Sequence, residues 1–435
     1  MRLHIMAGIL LIASAQSVMA QSGTNSPYSQ FGLGMLSDQA SGFNRGTDGL
    51  ALGFHDHNQV NYLNPASYAS LDSLTFIFDV GLSGQITNFK EKGVKKNANN
   101  ADFEYLVAGF RVFRHVGLSF GLLPYTNVGY SYTSARTLND GSATTSTDTY
   151  TGTGGLRQVY LGVGVSPFKG FALGVNGSYL YGSYTKALTN SFSNSYVNTI
   201  RKIASADVES YRLDFGAQYT ARITKKDEVT LGATYTLGHK IGGNPQLSVI
   251  SSNSQTSVAD TTTYPGTGNG KLRLEMPSTI GVGLLYNHNN VLKIGADYSL
   301  QKWAKVEEPV YSSRNGEVSY ALRSGMYQDR HKATVGLEYC PGEYNRHFFN
   351  RVRYRAGVSY ATPYYYINGK DGPKEISASI GFGIPIMNSW NNRSILNISG
   401  QWVQRKAADF ITENSFRINI GLTFNERWFA KWKVQ

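Results

Sequence analysis

His55, Asp56 and His57 stand in a row in "GFHDHNQ", and side chains two apart in a loop can converge on a metal ion. Structural zinc takes four nitrogen or sulfur ligands. No third and fourth ligand are apparent for this triplet, so it reads as a loop held by hydrogen bonds, and no metal is expected. Cys340 is the single cysteine, which rules out an intramolecular disulfide. A lone exported thiol can be reactive, but here it reads as a small apolar side chain at a strand end. No Gly-x-Ser-x-Gly elbow is present, and the eight histidines fall mostly in turns and loops. A nucleophile with a base in reach is therefore not visible, and neither an enzyme nor a cofactor is expected. Two other places invite a mechanical role. Asn64, Pro65 and Ala66 form a turn in which Asn satisfies backbone groups and Pro fixes φ. Pro124 interrupts "VGLSFGLLPYTNVGYSY", where a missing ladder donor implies a bulge, a kink or a locally unpaired edge.

The elements that must position these residues are strands. The chain opens "MRLHIMAGILLIASAQSVMA", with an early Arg, an apolar core and small residues at Val18 and Ala20, which reads as a signal peptide over 1–20. No later run approaches the ~20 apolar residues of a membrane helix. With 47 Gly, 29 Tyr and 21 Phe, the composition favours strands. In "VLKIGADYSLQKW", Leu292, Ile294, Ala296, Tyr298 and Leu300 share one face, opposite Lys293, Gly295, Asp297, Ser299 and Gln301. In "FRINIGLTF", Phe416, Ile418, Ile420, Leu422 and Phe424 oppose Arg417, Asn419, Gly421 and Thr423. The polar faces are Gly, Ser, Asn and Thr with few charges, which suits a narrow filled lumen better than a solvated sandwich.

Fourteen such stretches are expected, near 74–86, 102–114, 117–134, 149–165, 171–187, 206–222, 228–243, 271–287, 291–304, 326–340, 350–363, 374–386, 393–404 and 415–425. Short connections such as "RHVG" and "NHNN" alternate with long polar ones such as "NFKEKGVKKNANN" and the 246–270 segment. That alternation is the mark of an outer-membrane barrel with short periplasmic turns and long external loops. The fold expected is therefore all-β: a membrane β-barrel of fourteen antiparallel strands over 73–426, with a hatch over 21–72 inside the lumen and a periplasmic tail over 427–435. The formal charge of +12 is scattered. For an exported chain it points to anionic lipid headgroups or an acidic ligand group, not to nucleic acid.

"SGFNRGTDGLALGFHDHNQVNYLNPASYASLDS" resembles the hatch of the FadL-type long-chain fatty acid and toluene transporter family. The likeness rests on Gly46, Gly49, Ala51 and Gly53, then Asp56, then Asn64, Pro65 and Ala66. "LRLEMPSTIGVGLLY" is similar to the family's later Met-Pro stretch, at Met276, Pro277, Gly281, Gly283 and Tyr286. "NSPYSQFGLGML" looks more like Bacteroides-type versions, and "NERWFAKWKVQ" follows the expected last aromatic, Phe424. The resemblance implies a monomer in the outer membrane of a Gram-negative bacterium, surrounded by outer-membrane lipid. It takes up hydrophobic small molecules, fatty acid-like or aromatic, into an apolar lumen pocket and releases them sideways where the third strand kinks. The kink would lie at Gly121, Pro124 and Asn127, and the turn at Asn64, Pro65 and Ala66 would brace it from inside. The alternative is a PorV-like scaffold or shuttle, with secretion-system proteins as partners.

Overall fold

The computed structural model describes residues 23–138, 144–265, 271–314, 317–343, 345–386 and 394–426. The expected signal peptide and the expected tail lie outside these residues. The wall is made of β1 (Phe76–Glu91), β2 (Val94–Phe113), β3 (Val116–Thr137), β4 (Thr145–Phe168), β5 (Phe171–Phe192), β6 (Thr199–Arg222) and β7 (Asp227–Thr236). It continues with β8 (Thr279–His288), β9 (Leu292–Gln301), β10 (Arg330–Tyr339), β11 (Arg353–Ala361), β12 (Lys374–Ile386), β13 (Ser394–Lys406) and β14 (Thr412–Glu426). Each pairs antiparallel with the next, and β14 returns to β1, so among the described residues fourteen strands close a barrel.

The alternation in sequence is what sets the two faces. Ile294, Ala296 and Tyr298 on β9 are exposed, while Lys293 and Gly295, of the opposite parity, are buried. Leu161, Leu231, Val282, Ile380 and Ile420 continue an exposed apolar belt around the outside. Among the described residues no helix is long and apolar enough to cross a membrane; the barrel would cross with its strands.

The strands run well past their expected ends. "NFKEKGVKKNANN" is not a loop: its two halves pair, and the chain turns over Lys92 and Gly93 at φ 42° and 87°. Positive φ at both positions is what a two-residue hairpin turn requires. β3 with β4, and β5 with β6, extend in the same way. Within the 246–270 segment, Gln246–Ser252 adds to the edge of β6 and pairs with Ala259–Tyr264. Polarity in these stretches marks where the wall leaves the apolar layer. A hydrated strand still pairs there.

The chain before β1 is packed inside the wall. It contains a turn at Pro27–Gln30, a two-residue strand Met35–Leu36, a short helix Gly42–Arg45 and a turn at Pro65–Ser70. Tyr28, Phe43, Phe54, Tyr68 and Leu71 are all buried in it. Glycine on the inner face makes the room: a Cβ on Gly174 would sit 2.3 Å from the Pro65 carbonyl carbon, and one on Gly117 would sit 1.9 Å from the Tyr68 oxygen.

Candidate functional site: a side gap and a luminal chamber

Charge fixes one side of the hatch to the wall. Asp56 accepts from Lys293 Nζ at 2.6 Å and from Arg353 Nη1 at 3.0 Å. Glu338 takes the same two cations and also Arg355, whose Nε donates at 2.6 Å. Burial pushes the Asp56 carboxyl up, but Lys293 and Arg353 outweigh it and hold it well below the ordinary carboxylate range. Higher in the hatch, Asp48 accepts from Ser377 Oγ at 2.5 Å and from Gln401 Nε2 at 2.8 Å. Arg45 meets Glu104 on β2 at 2.7 Å. The His55–Asp56–His57 loop is thus an anchor built on Asp56. Among the described residues no three His, Cys, Asp or Glu side chains gather as a metal cluster.

These luminal charges are what the sequence reading missed when it expected few. Lys293 lies opposite Glu338, and Glu338 opposite Arg355, on three successive strands. The available signal was one charge per strand on otherwise polar faces, in "VLKIG", "GLEYC" and "RVRYR".

The wall opens between β2 and β3. Their ladder runs from the turn end only as far as Leu106 opposite Leu122. Beyond that, β2 pairs with β1 alone, whereas β3 turns inward and takes up the hatch strand, with Met35 opposite Asn127 and Leu36 opposite Thr126. The register on the β4 side shifts between Pro124 and Thr126, so Tyr125 is an extra residue. That extra residue reverses the facing beyond it: Thr126, Val128 and Tyr130 are buried, whereas Phe120, of the same parity ahead of the bulge, is exposed.

The segment Gly23–Leu36 fills the space between the parted strands. Asn25 meets Asn100 on β2, and Ser29 Oγ accepts from the Gly129 amide on β3 at 3.1 Å. Asn127 Nδ2 donates to Ser37 Oγ at 3.3 Å and reaches Asp102 Oδ2 across the gap at 3.4 Å. Outside this wedge, Trp303, Tyr327, Tyr364 and Tyr365 form an aromatic cap, and Phe31 stacks on Tyr365 at 5.1 Å.

Of the expected gate residues, Gly121 lies opposite Val107 in the last paired stretch, Pro124 just past it, and Asn127 in the gap itself. Asn64, Pro65 and Ala66 sit elsewhere, against Gly164, Gly174 and Gly216 on β4, β5 and β6. There Asn64 Oδ1 accepts from the Ala66 amide, and its Nδ2 donates to Leu52 O at 2.8 Å and Ala217 O at 3.3 Å. The hatch side chain that reaches Pro124 is Gln39, at 3.4 Å from the carbonyl oxygen.

Between the hatch floor and the outer cap lies a chamber of about 210 Å³. Its walls mix Leu36, Leu63, Leu123 and Met276 with Arg212, Asp297, Lys332 and Arg405. The apolar pocket that the resemblance implies is thus an amphipathic one.

Set against known proteins, the family model described as BamG matches residues 1–435. No curated protein matches the chain. Among solved structures it is similar to the CymD monoaromatic hydrocarbon channel, at 16% identity and a TM-score of 0.58, over 92% of this chain and 100% of that one. The Ralstonia pickettii toluene transporter TbuX matches at 15% identity and 0.56, over 92% and 99%. A Pseudomonas aeruginosa FadL homologue matches at 13% and 0.60, over 88% and 98%. At these identities the likeness speaks for the fold.

Proposed function

The chain belongs to the BamG family, and on that premise we propose that it is an outer-membrane protein of a Gram-negative bacterium that takes up small hydrophobic molecules and releases them sideways into the bilayer. The observation that carries this reading is the break in the wall, where β2 and β3 part above Leu106 and Leu122. A greasy ligand gains little from a water-filled route, since removing its apolar area from water is worth roughly 25 cal/mol per Å². A lateral exit keeps that area covered. Solved barrels of the same fold that are named as toluene and hydrocarbon transporters support the choice of cargo. In this reading Gly23–Leu36 is the part that moves, while the turn at Asn64, Pro65 and Ala66 holds the hatch floor still. Among the described residues one chain closes the barrel, and in this reading the protein works as a monomer.

The test joins the two sides of the gap. Asp102→Cys and Asn127→Cys, in a Cys340→Ala background, place thiols where two side chains already meet at 3.4 Å. A short bifunctional thiol-reactive cross-linker, such as a bis-maleimide, should reduce uptake of labelled toluene by whole cells to the level of cells lacking the protein. The untreated double variant should retain uptake. Unchanged uptake after complete cross-linking would remove the lateral route.

A further inference from the structure

On the outer face, at the end of the wall away from the short turns, four lysines stand in one row across five strands. Lys374 on β12 lies opposite Lys406 on β13, and Lys90 on β1 lies opposite Lys95 on β2. Thr412 on β14 joins the two pairs, facing Lys406 on one side and Lys90 on the other. Opposite residues share a face, and Lys90 has the parity of Leu82 and Ile86 in the exposed apolar belt. All four lysines are exposed. Like charges directly opposite one another destabilise a sheet, and this rim has two such pairs. Among the described residues none of the four forms an ion pair. The Asp409 carboxylate, on the loop between β13 and β14, is held instead by Lys370 at 2.5 Å.

The rows beneath define what could neutralise them. One outward step toward the bilayer, the same strands carry Ile376, Gln404, Asn414, Asn88 and Asn97 in register. A second step brings Trp402, Phe416 and Ile86, all exposed. Cations, then amides, then apolar side chains thus follow one another toward the membrane. The row also climbs. Apolar residues reach Ile376, one step below Lys374, but end two steps below Lys406 and Lys90, at Trp402 and Ile86, and three below Lys95, at Ala101. Strands tilted by about 35–45° produce such a climb. The Lys374–Lys406 pair therefore lies at the bilayer surface, and the Lys90–Lys95 pair stands farther out, three strand spacings or roughly 14 Å away. A phospholipid offers phosphate at one depth only. Anionic groups at two depths, with hydrogen-bonding groups between them, describe a phosphorylated sugar headgroup.

We propose that this face of β12, β13, β14, β1 and β2 binds an outer-leaflet glycolipid whose sugar headgroup carries phosphates. Its acyl chains lie on Trp402, Phe416 and Ile86, its sugar hydroxyls meet the Gln404, Asn414 and Asn88 amides, and its phosphates bridge the lysine pairs. The site rests on the outer-membrane placement and is independent of the cargo and of the side gap.

Binding is read on detergent-purified full-length protein by native mass spectrometry. Diphosphorylated lipid A should bind about tenfold more tightly than either its dephosphorylated form or phosphatidylglycerol. A lysine near an anionic headgroup contributes roughly a factor of five, so Lys374→Gln with Lys406→Gln should weaken lipid A about twentyfold. Lys90→Gln with Lys95→Gln should weaken it about fivefold. The same change at Lys225 and Lys226, exposed on a short turn at the other end, should leave it unchanged. Without lipid, both rim variants should melt no lower than wild type, since each removes a repulsive pair. Equal binding of the dephosphorylated lipid would overturn the proposal, as would full affinity in both rim variants. Phosphatidylglycerol binding as tightly would replace the glycolipid by a general anionic collar. Displacement of lipid A by excess inorganic phosphate would reduce the site to one for the free anion. None of these outcomes bears on uptake through the gap, which the cross-linked variant tests by itself.

Discussion

Two seams lie on either side of the β1–β2 hairpin, and they end differently. β1 and β14 stay paired from Phe76 opposite Glu426 up to Lys90 opposite Thr412. β2 and β3 start together at the turn end and part at Leu106 and Leu122. Neither seam is poor in strand-forming residues. The open seam has one extra residue, Tyr125, after a proline that lacks a ladder donor. Its neighbours absorb the distortion with glycine: Gly155 on β4 has φ 147° and Gly182 on β5 has φ 139°. A Cβ on either would lie within 2.4 Å of a carbonyl oxygen of the adjoining strand, Thr126 or Gly155. A wall of this kind opens by a crease that crosses several strands, and the hatch then covers the exposed edge.

The two sides of the hatch repeat that contrast, and the largest expected effect lies on its charged side. Asp56→Ala leaves Lys293 and Arg353 buried beside Glu338 without their second carboxylate. Breaking a buried pair in this way costs roughly 3–5 kcal/mol. The barrel band on unboiled gels should convert at a markedly lower temperature. The pH dependence follows from the direction of the Asp56 shift. A carboxyl held low in the folded protein contributes stability above its unfolded value, and that stability is lost as pH falls toward the folded one. The wild type should therefore show no loss from this anchor between pH 7 and 5, with decline beginning only below about 4. Asp56→Ala should flatten that acid limb. An anchor that weakens between pH 7 and 5 would contradict it.

A second expectation concerns the intact wall, where the facing is regular. Tyr298 on β9 is exposed on the outside, and Ser299 lines the chamber. Tyr298→Arg puts a charge on the lipid face and should cost roughly 2–4 kcal/mol at mid-membrane depth. Ser299→Arg can be hydrated and should cost less. The order of melting on gels decides the point.

That facing was legible in the sequence because a period of two needs no tertiary information. Pro124 was legible as a break for the same local reason. What escaped depends on which distant segments meet. Nothing near Asn64, Pro65 and Ala66 says that Gly164, Gly174 and Gly216 will receive them. Nothing near Pro124 says that Met35–Leu36 will take the vacated edge. Strand ends escaped because polarity reports the edge of the bilayer and not the end of pairing, as Lys92 and Gly93 make plain.

The smallest effect compares the two seams directly with the same substitution. Ser29, fully buried in the wedge, accepts the Gly129 amide of β3 on its side-chain oxygen. Ser415, equally buried on β14, shares a hydrogen bond with Thr87 at 2.9 Å, while its own backbone is laddered to β1 and β13. Ser29→Ala removes the partner of a main-chain donor that has no strand on that side to replace it. Ser415→Ala removes a link between two side chains and leaves the ladder intact. Each should cost about 1 kcal/mol, which for the Gly129 amide is a factor of roughly five in its local opening equilibrium. The location of the loss should differ. Hydrogen exchange at Gly129 should quicken about fivefold in Ser29→Ala, with the barrel melting temperature scarcely moved. In Ser415→Ala the neighbouring amides of β14 should exchange at the wild-type rate. Equal acceleration at both seams would mean that the β2–β3 edge is held no differently from the closed one, and the wedge could not be the movable part.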